Sequence, residues 1–302
     1  MVSATEVQAA LGAWPCRVES VAPLAGGWNS ATWLVRTANG RYVAKLVDDL
    51  DAAGLVSGLR IAEFLAARGM PCGRPVRTCD GELTIPLPEG TLALLRHEPG
   101  SPPDLSVPDQ VRRAGRVLAR AHQILRDFPA GSDPRYRWPW EWVPQCLDTI
   151  AMPEHVNAAA RRIWPQILRT VDEHRLSISF IHADPSADSF LLGGDGDGEG
   201  ALIDWATTLR GPLLYDLACF AVITSPAGPH AARWFTEGYA AGMPEISPQL
   251  VHVDCLVKAR WLANAIYFCS RIERGITRGP GSPTANQEGL AAAYAGMTAG
   301  GC

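Results

Sequence analysis

The sequence predicts an α+β chain of two lobes, a small antiparallel-sheet lobe over residues 1–98 and a larger, mostly helical lobe over 99–302. Three observations predict it. Short β-rich runs crowd the first hundred residues, and helical repeats fill much of the rest. Between them, Glu98-Pro99-Gly100-Ser101-Pro102-Pro103-Asp104 continues neither a strand nor a helix, which makes it the linker.

The elements follow in order. Val18 to Pro23, Thr32 to Thr37 and Tyr42 to Val47 are β-rich, and Asn39-Gly40 between the last two is a hairpin signal, so a twisted antiparallel sheet opens the protein. Ala53 to Arg68 carries apolar residues at Leu55, Leu59, Ala62, Phe64, Leu65 and Ala66 and closes at Gly69, as an amphipathic helix does. Strands Glu82 to Pro86 and Leu92 to His97 complete the first lobe. Beyond the linker, Asp109 to Asp127, Pro153 to Arg175, Pro229 to Gly242 and Ser247 to Arg274 have helical periodicity. Gly193 to Gly200 is a polar, glycine-rich turn between two short apolar runs, and the tail after Gly275 reads as a loose end with one short helix. No internal repeat is present.

Composition sets limits on function. At 302 residues and 47% apolar content the chain can bury a sizeable core. It has no run of eighteen apolar residues and no basic-then-apolar start, so neither a membrane span nor a signal peptide is expected, and the expected location is cytoplasmic. A net charge of −4 argues against a general binder of nucleic acid or anionic membrane. The eight cysteines form no CxxC pair and read as reduced, mostly buried thiols. His122, His155, His174, His230 and His252 lack metal-ligand spacing, and His122 on an apolar stripe reads as a satisfied core residue.

Two constellations carry chemistry. The first is the small-residue turn Leu24-Ala25-Gly26-Gly27-Trp28-Asn29-Ser30, followed by Lys45 in the apolar strand Tyr42-Val43-Ala44-Lys45-Leu46-Val47. Backbone N–H groups of such a turn can approach phosphate oxygens, although an ordinary hairpin has the same residues. Lys45 is one of only two lysines, the other being Lys258, and in an apolar strand its ammonium needs a partner. Phosphate oxygens would serve, as would Glu63 on the following helix; the alternative is a lysine snorkelling from an edge strand. The second constellation is His182-Ala183-Asp184 after the apolar run Phe180-Ile181, with a further aspartate in Ile203-Asp204-Trp205. Two carboxylates ending neighbouring strands suit phosphoryl transfer: one accepts the proton of an acceptor hydroxyl and the other binds magnesium on the phosphates.

In this order, glycine-rich turn, strand lysine, helix glutamate, His-x-Asp loop and Ile-Asp-Trp, the sequence resembles the aminoglycoside phosphotransferase family across about residues 18–270. The resemblance implies a bilobal protein-kinase-like fold, with ATP and magnesium (Mg2+) in the cleft between lobes and a small-molecule hydroxyl acceptor. It implies a catalytic base at Asp184 with His182 as its loop neighbour, a metal ligand at Asp204, a phosphate-contacting lysine at Lys45 and an ion-pair partner for it at Glu63. Gly26, Gly27, Asn29 and Ser30 become the phosphate turn, and Leu95, Arg96 and His97, within Leu94-Leu95-Arg96-His97-Glu98, the hinge whose backbone reads the base. Leu213-Leu214-Tyr215-Asp216-Leu217-Ala218 resembles the family's Tyr-Asp-Leu-Ala element, where Asp216 buttresses the catalytic loop.

The family's His-x-Asp-x-x-x-x-Asn pattern has Ser189 in the asparagine position, a shorter and weaker oxygen donor to metal. Asp188 or a bridging water would compensate. The alternatives are an inactive kinase-like subunit serving a partner protein, and a kinase of serine or threonine in a precursor peptide. On the acceptor side, Tyr136-Arg137-Trp138-Pro139-Trp140-Glu141-Trp142 either walls a pocket or packs as core. Glu141, Asp148, Glu237 and Glu273 are too scattered to single out a polycationic acceptor.

Overall fold

The computed structural model describes residues 2–24, 29–129, 142–193, 200–277, 282 and 284–299. By contacts the chain divides into two compact units, Met1–Pro102 with Ser189–Thr208, and Pro103–Asp188 with Leu209–Cys302. The chain first passes from one unit to the other between Pro102 and Pro103. Ser189 and Asp204 group with the first unit rather than with the second.

In the first unit, strands β1 (Val18–Leu24), β2 (Ser30–Thr37), β3 (Gly40–Val47), β4 (Pro75–Val76), β5 (Thr84–Leu87) and β6 (Gly90–Arg96) form one sheet. The order is β1-β2-β3-β6-β4, with β5 also paired to β6, and every pairing is antiparallel. Successive side chains of a strand face opposite sides, so β3 sends Ala44 and Leu46 to one core and Lys45 and Val47 to the other. On the first side, Val7, Leu11 and Trp14 pack with Trp33, Val35, Leu92 and Leu94. They come from helix α1 (Ala4–Ala10) and the turn after it, an element the periodicity reading passed over. Its Ser3 and Glu6 nevertheless form a capping box. On the other side, helix α2 (Asp49–Ala66) lays Leu55 and Leu59 against Val47, Leu83 and Ala93. Asp48 caps α2 by accepting the Asp51 N–H, so the helix begins a turn before its apolar repeat.

The second unit contains α3 (Pro108–Leu125), α4 (Val143–Thr149), α5 (Glu154–Glu173), α6 (Leu214–Ile223), α7 (Pro229–Gly242), α8 (Val253–Glu273) and α9 (Ala285–Thr298). Strands β7 (Ile178–Ile181) and β10 (Leu209–Pro212) pair antiparallel beside them. The helix expected over 247–274 divides: residues Pro244–His252 form a 3-10 run with Pro248 inside it, and α8 follows. The tail is not loose. A Cβ at Gly289 would lie 2.3 Å from the Phe268 ring and one at Gly296 2.4 Å from the Trp261 ring, so α9 docks its bare backbone on two aromatic faces of α8. Asn286 ties it down, accepting from Arg271 Nε at 2.9 Å and donating to Ile276 O at 2.8 Å.

Candidate active site

In the first unit the site is built on β3, the middle of the sheet. Lys45 pairs across to Thr32 and Ala93, and alternation aims its side chain toward the α2 face. A short hairpin of β8 (Phe190–Leu191) and β9 (Ala201–Leu202) precedes Asp204, and Ile203 N–H donates to Ser189 O at 2.8 Å. Asp204 itself has φ 67° and ψ 63°, a left-handed conformation unusual for a residue with a Cβ. The 3-10 turn Trp205–Thr207 after it leans on α2. A Cβ at Gly58 would stand 2.4 Å from Trp205 O, and one at Gly54 2.9 Å from Ala206 O. Two glycines four residues apart thus let the turn approach the helix backbone. Lys45 Nζ donates to Asp204 Oδ1 at 2.5 Å across 159 residues, with the lysine largely buried and the aspartate half-exposed.

Glu63 does not hold Lys45. Its two carboxylate oxygens accept from Arg77 Nε at 2.8 Å and Nη2 at 2.7 Å. Helix geometry explains this. Glu63 lies five residues beyond Gly58, about 7.5 Å along the axis, so it faces the chain just after β4, where Arg77 offers a two-pronged fork.

In the second unit a separate cluster of candidate residues follows β7. His182 is buried, and its Nδ1 accepts the Asp184 N–H at 3.3 Å. Ala183 between them has φ 66°, a conformation that costs about 1–2 kcal/mol for a residue with a Cβ. Asp216 on α6 holds the loop there, its Oδ2 accepting His182 N–H at 2.8 Å and its Oδ1 Ala183 N–H at 2.7 Å. His122 Nε2 lies 3.0 Å from Asp216 Oδ2 and its Nδ1 2.8 Å from the Tyr239 hydroxyl, all three side chains being buried. Asp216 Oδ2 is the acceptor of the Nε2 contact, and the Tyr239 hydroxyl, beside Nδ1, donates to Met243 Sδ at 3.2 Å. The expectation of a satisfied core His122 matches this arrangement.

Two further groups hold the loop from α6 and α8. Cys219 Sγ donates to Ala183 O at 3.3 Å, and burial pushes this thiol above its usual range, which keeps the proton on sulfur. Arg260 Nη1 donates to the same carbonyl at 3.0 Å and Nη2 to Asp184 Oδ1 at 2.6 Å. Sequence reasoning missed Arg260. The available signal was a lone arginine beside the apolar positions Leu256, Ala259 and Leu262 of α8.

Of the remaining site expectations, Gly26 and Gly27 lie outside the described residues, as do Tyr136 to Glu141. Ser30 opens β2 opposite Val47, with Asn29 just before it. Leu95 and Arg96 end β6. The Arg96 N–H donates to Arg74 O at 2.8 Å and the His97 N–H to Arg41 O at 3.2 Å. Those two donors are committed within the protein. Burial, with Arg41 close by, holds the His97 imidazole below the usual histidine range. Glu98 accepts the Cys72 and Gly73 N–H groups at 3.2 and 2.9 Å. Ser189 is buried at the end of the turn Ala187–Ser189.

Among the described residues no three His, Cys, Asp or Glu side chains converge on a metal position. Asp204 and the nearby Ser189 are hard oxygen donors. Such a sparse set fits magnesium, which takes one or two carboxylates and completes its shell with water and substrate phosphates. Among the described residues no helix is long and apolar enough to cross a membrane.

Similarity to known proteins agrees with this layout. The chain is 31% identical over 195 residues to the homoserine kinase of Methylobacillus flagellatus, covering 65% of this chain and 60% of that one. It is 29% identical over 200 residues to the homoserine kinase of Neisseria meningitidis, covering 66% and 64%. The match therefore spans somewhat less than two thirds of these relatives' length. Among solved structures, an amicoumacin kinase in complex with AMP-PNP, Ca2+ and Ami superposes with a TM-score of 0.74 at 15% identity, covering 97% of this chain and 92% of the other. A microcompartment-associated aminopropanol kinase superposes with a TM-score of 0.73 at 18% identity, covering 97% and 96%. These likenesses establish the protein-kinase-like fold. The sequence profile of the phosphotransferase enzyme family matches residues 20–248, and the chain belongs to that family.

Proposed function

We propose that this protein is a kinase that moves the γ-phosphoryl group of ATP onto a hydroxyl of a small, amine-bearing metabolite. The observation that carries the reading is the 2.5 Å contact between Lys45 and Asp204, a cation and a carboxylate brought together from strands far apart in sequence. A second observation is Asp184 itself, which follows the left-handed Ala183 and keeps its side chain partly exposed. The homoserine kinase relatives and the aminopropanol kinase neighbour support an amino alcohol or hydroxy amino acid as acceptor.

In this reading Lys45 contacts the phosphates, and Asp204 with Ser189 holds magnesium, which when bound supplies neutralisation of phosphate charge. Asp184 accepts a hydrogen bond from the acceptor hydroxyl and orients it in line with the γ-phosphorus. The hydroxyl oxygen forms the new P–O bond, the bond to the β–γ bridging oxygen breaks, ADP leaves, and the hydroxyl proton passes through Asp184 to solvent. No covalent enzyme intermediate is needed. His182 and Asp216 shape the loop rather than touch the reacting atoms.

ADP release measured with homoserine, 1-amino-2-propanol and an aminoglycoside as acceptors tests the reading. Transfer to at least one is expected, and Asp184→Asn should lower its rate about 10²–10⁴-fold while ATP still binds; full turnover by that variant removes Asp184 from its role. Ser189 favours a second reading, a kinase-like subunit that serves a partner protein with little turnover of its own. Thermal stabilisation by ATP that is indifferent to magnesium would support it.

A further inference from the structure

Arg260 is an expensive residue where it stands. It projects from the apolar stripe of α8 with its side chain 17% exposed, and its Nε is buried with no hydrogen-bond partner among the described residues. A buried donor without an acceptor is destabilising. An ion pair to a carboxylate that is 45% exposed adds little to stability, so stability alone is a poor reason for a guanidinium at this position. Its two remaining nitrogens both serve the Asp184 loop, one on the Ala183 carbonyl and one on the Asp184 carboxylate.

That pairing has a geometric meaning. Ala183 O belongs to the backbone of the left-handed residue, and Asp184 Oδ1 to the side chain that follows it. A planar fork that binds both fixes the carboxylate relative to the loop, which a single point charge does not do. Asp216 clamps the same turn from its N–H side. Backbone and side chain are thus held by two separate anchors, one anionic and one cationic.

We propose that Arg260 is the positioning residue for Asp184: it binds Oδ1 and sets the carboxylate rotamer that presents the group to the acceptor hydroxyl. This rests on the kinase reading above, with Asp184 as the group that receives the acceptor. Arg260 acts through Asp184, not on nucleotide or acceptor.

The test is a double-mutant cycle on the full chain, with Arg260→Gln, Asp184→Asn and the two combined, read by ADP release at saturating acceptor. Arg260→Gln should lower kcat about 100-fold, the scale of a misplacement near 1 Å, while KM for acceptor and for ATP stays within about twofold. Arg260→Lys, which keeps the charge without the fork, should recover only part of the loss, and added guanidinium should partly rescue Arg260→Ala. In the Asp184→Asn background Arg260→Gln should cost nothing further. A loss that multiplies with Asp184→Asn, a rise in KM at constant kcat, or unchanged kcat overturns the proposal. Should the glutamine variant fail to fold, the lysine variant and the guanidinium rescue decide it. A chain without transfer to any acceptor would defeat the kinase reading instead. Amide hydrogen exchange over residues 182–186 then judges Arg260 by itself: faster exchange in Arg260→Gln is expected, and unchanged exchange overturns the positioning role.

Discussion

Gly58→Ala is the sharpest perturbation this structure offers, because two general rules oppose each other there. In the interior of a helix, alanine should be more stable than glycine by roughly 0.5–1 kcal/mol. At Gly58 the new Cβ would lie 2.4 Å from Trp205 O, 2.5 Å from Trp205 C and 2.7 Å from Ala206 N, where ordinary contact begins at 3.4 Å. The turn must therefore retreat by about 1 Å, and all three obstructing atoms are backbone, with no flexible tip to swing aside. Overpacking of this kind costs about 1–3 kcal/mol, so a net loss near 1–2 kcal/mol is expected, or roughly 2–5 °C in Tm. The functional loss should be larger. Asp204 directly precedes Trp205, so the retreat lengthens the contact with Lys45, and a displacement of that size costs on the order of 100-fold in transfer rate. Thermal unfolding together with the magnesium dependence of ATP binding reads both effects. Gly12→Ala serves as the control, since nothing lies within 4 Å of its Cβ. Were Gly58→Ala as stable and as active as the parent chain, the Trp205 turn would not be seated on α2 as described.

Asp216→Asn should destabilise the chain by about 3 kcal/mol, because two backbone N–H groups and His122 lose an ionised acceptor inside the core. Urea unfolding measures it, and a loss below about 1 kcal/mol would mean that Asp216 is not the buttress of the loop. Among thiols, burial, with a smaller contribution from Glu98, pushes Cys72 up to about 12. At pH 8 its thiolate fraction is then about one in ten thousand, so iodoacetamide on the native chain should label the exposed Cys79 long before Cys72. Equal labelling would contradict the burial of Cys72.

What could be read in the sequence depended on the range of the interactions. Alternation and the Asn39-Gly40 turn located β2 and β3, and the 3.6-residue repeat located α3, α5 and α7, because those signals are local. The candidate site residues Lys45, Asp184 and Asp204 stood out as charged groups in or beside apolar runs, where a charge requires a partner. Which partner each one takes was not readable. Glu63 looked suitable for Lys45 by order along the chain, but helix rise carries it to Arg77, whereas Asp204 arrives only because Gly54 and Gly58 admit its turn. Arg260 was hidden for the same reason: a helix position reveals that a side chain is buried, not which loop lies opposite. Helix α9 read as loose since its buried contacts come through glycines facing Phe268 and Trp261, and a missing side chain leaves no apolar mark.

The discontinuous make-up of the first unit bears on how this molecule can be taken apart. A gene truncated after Pro102 would encode the six-stranded sheet and α2 but omit Ser189–Thr208, leaving Gly54 and Gly58 uncovered and Lys45 without its carboxylate. Such a fragment should be poorly soluble and degrade easily in cells. Tethering the excised hairpin to its end through a flexible linker would be the economical remedy for anyone wishing to study the first unit in isolation.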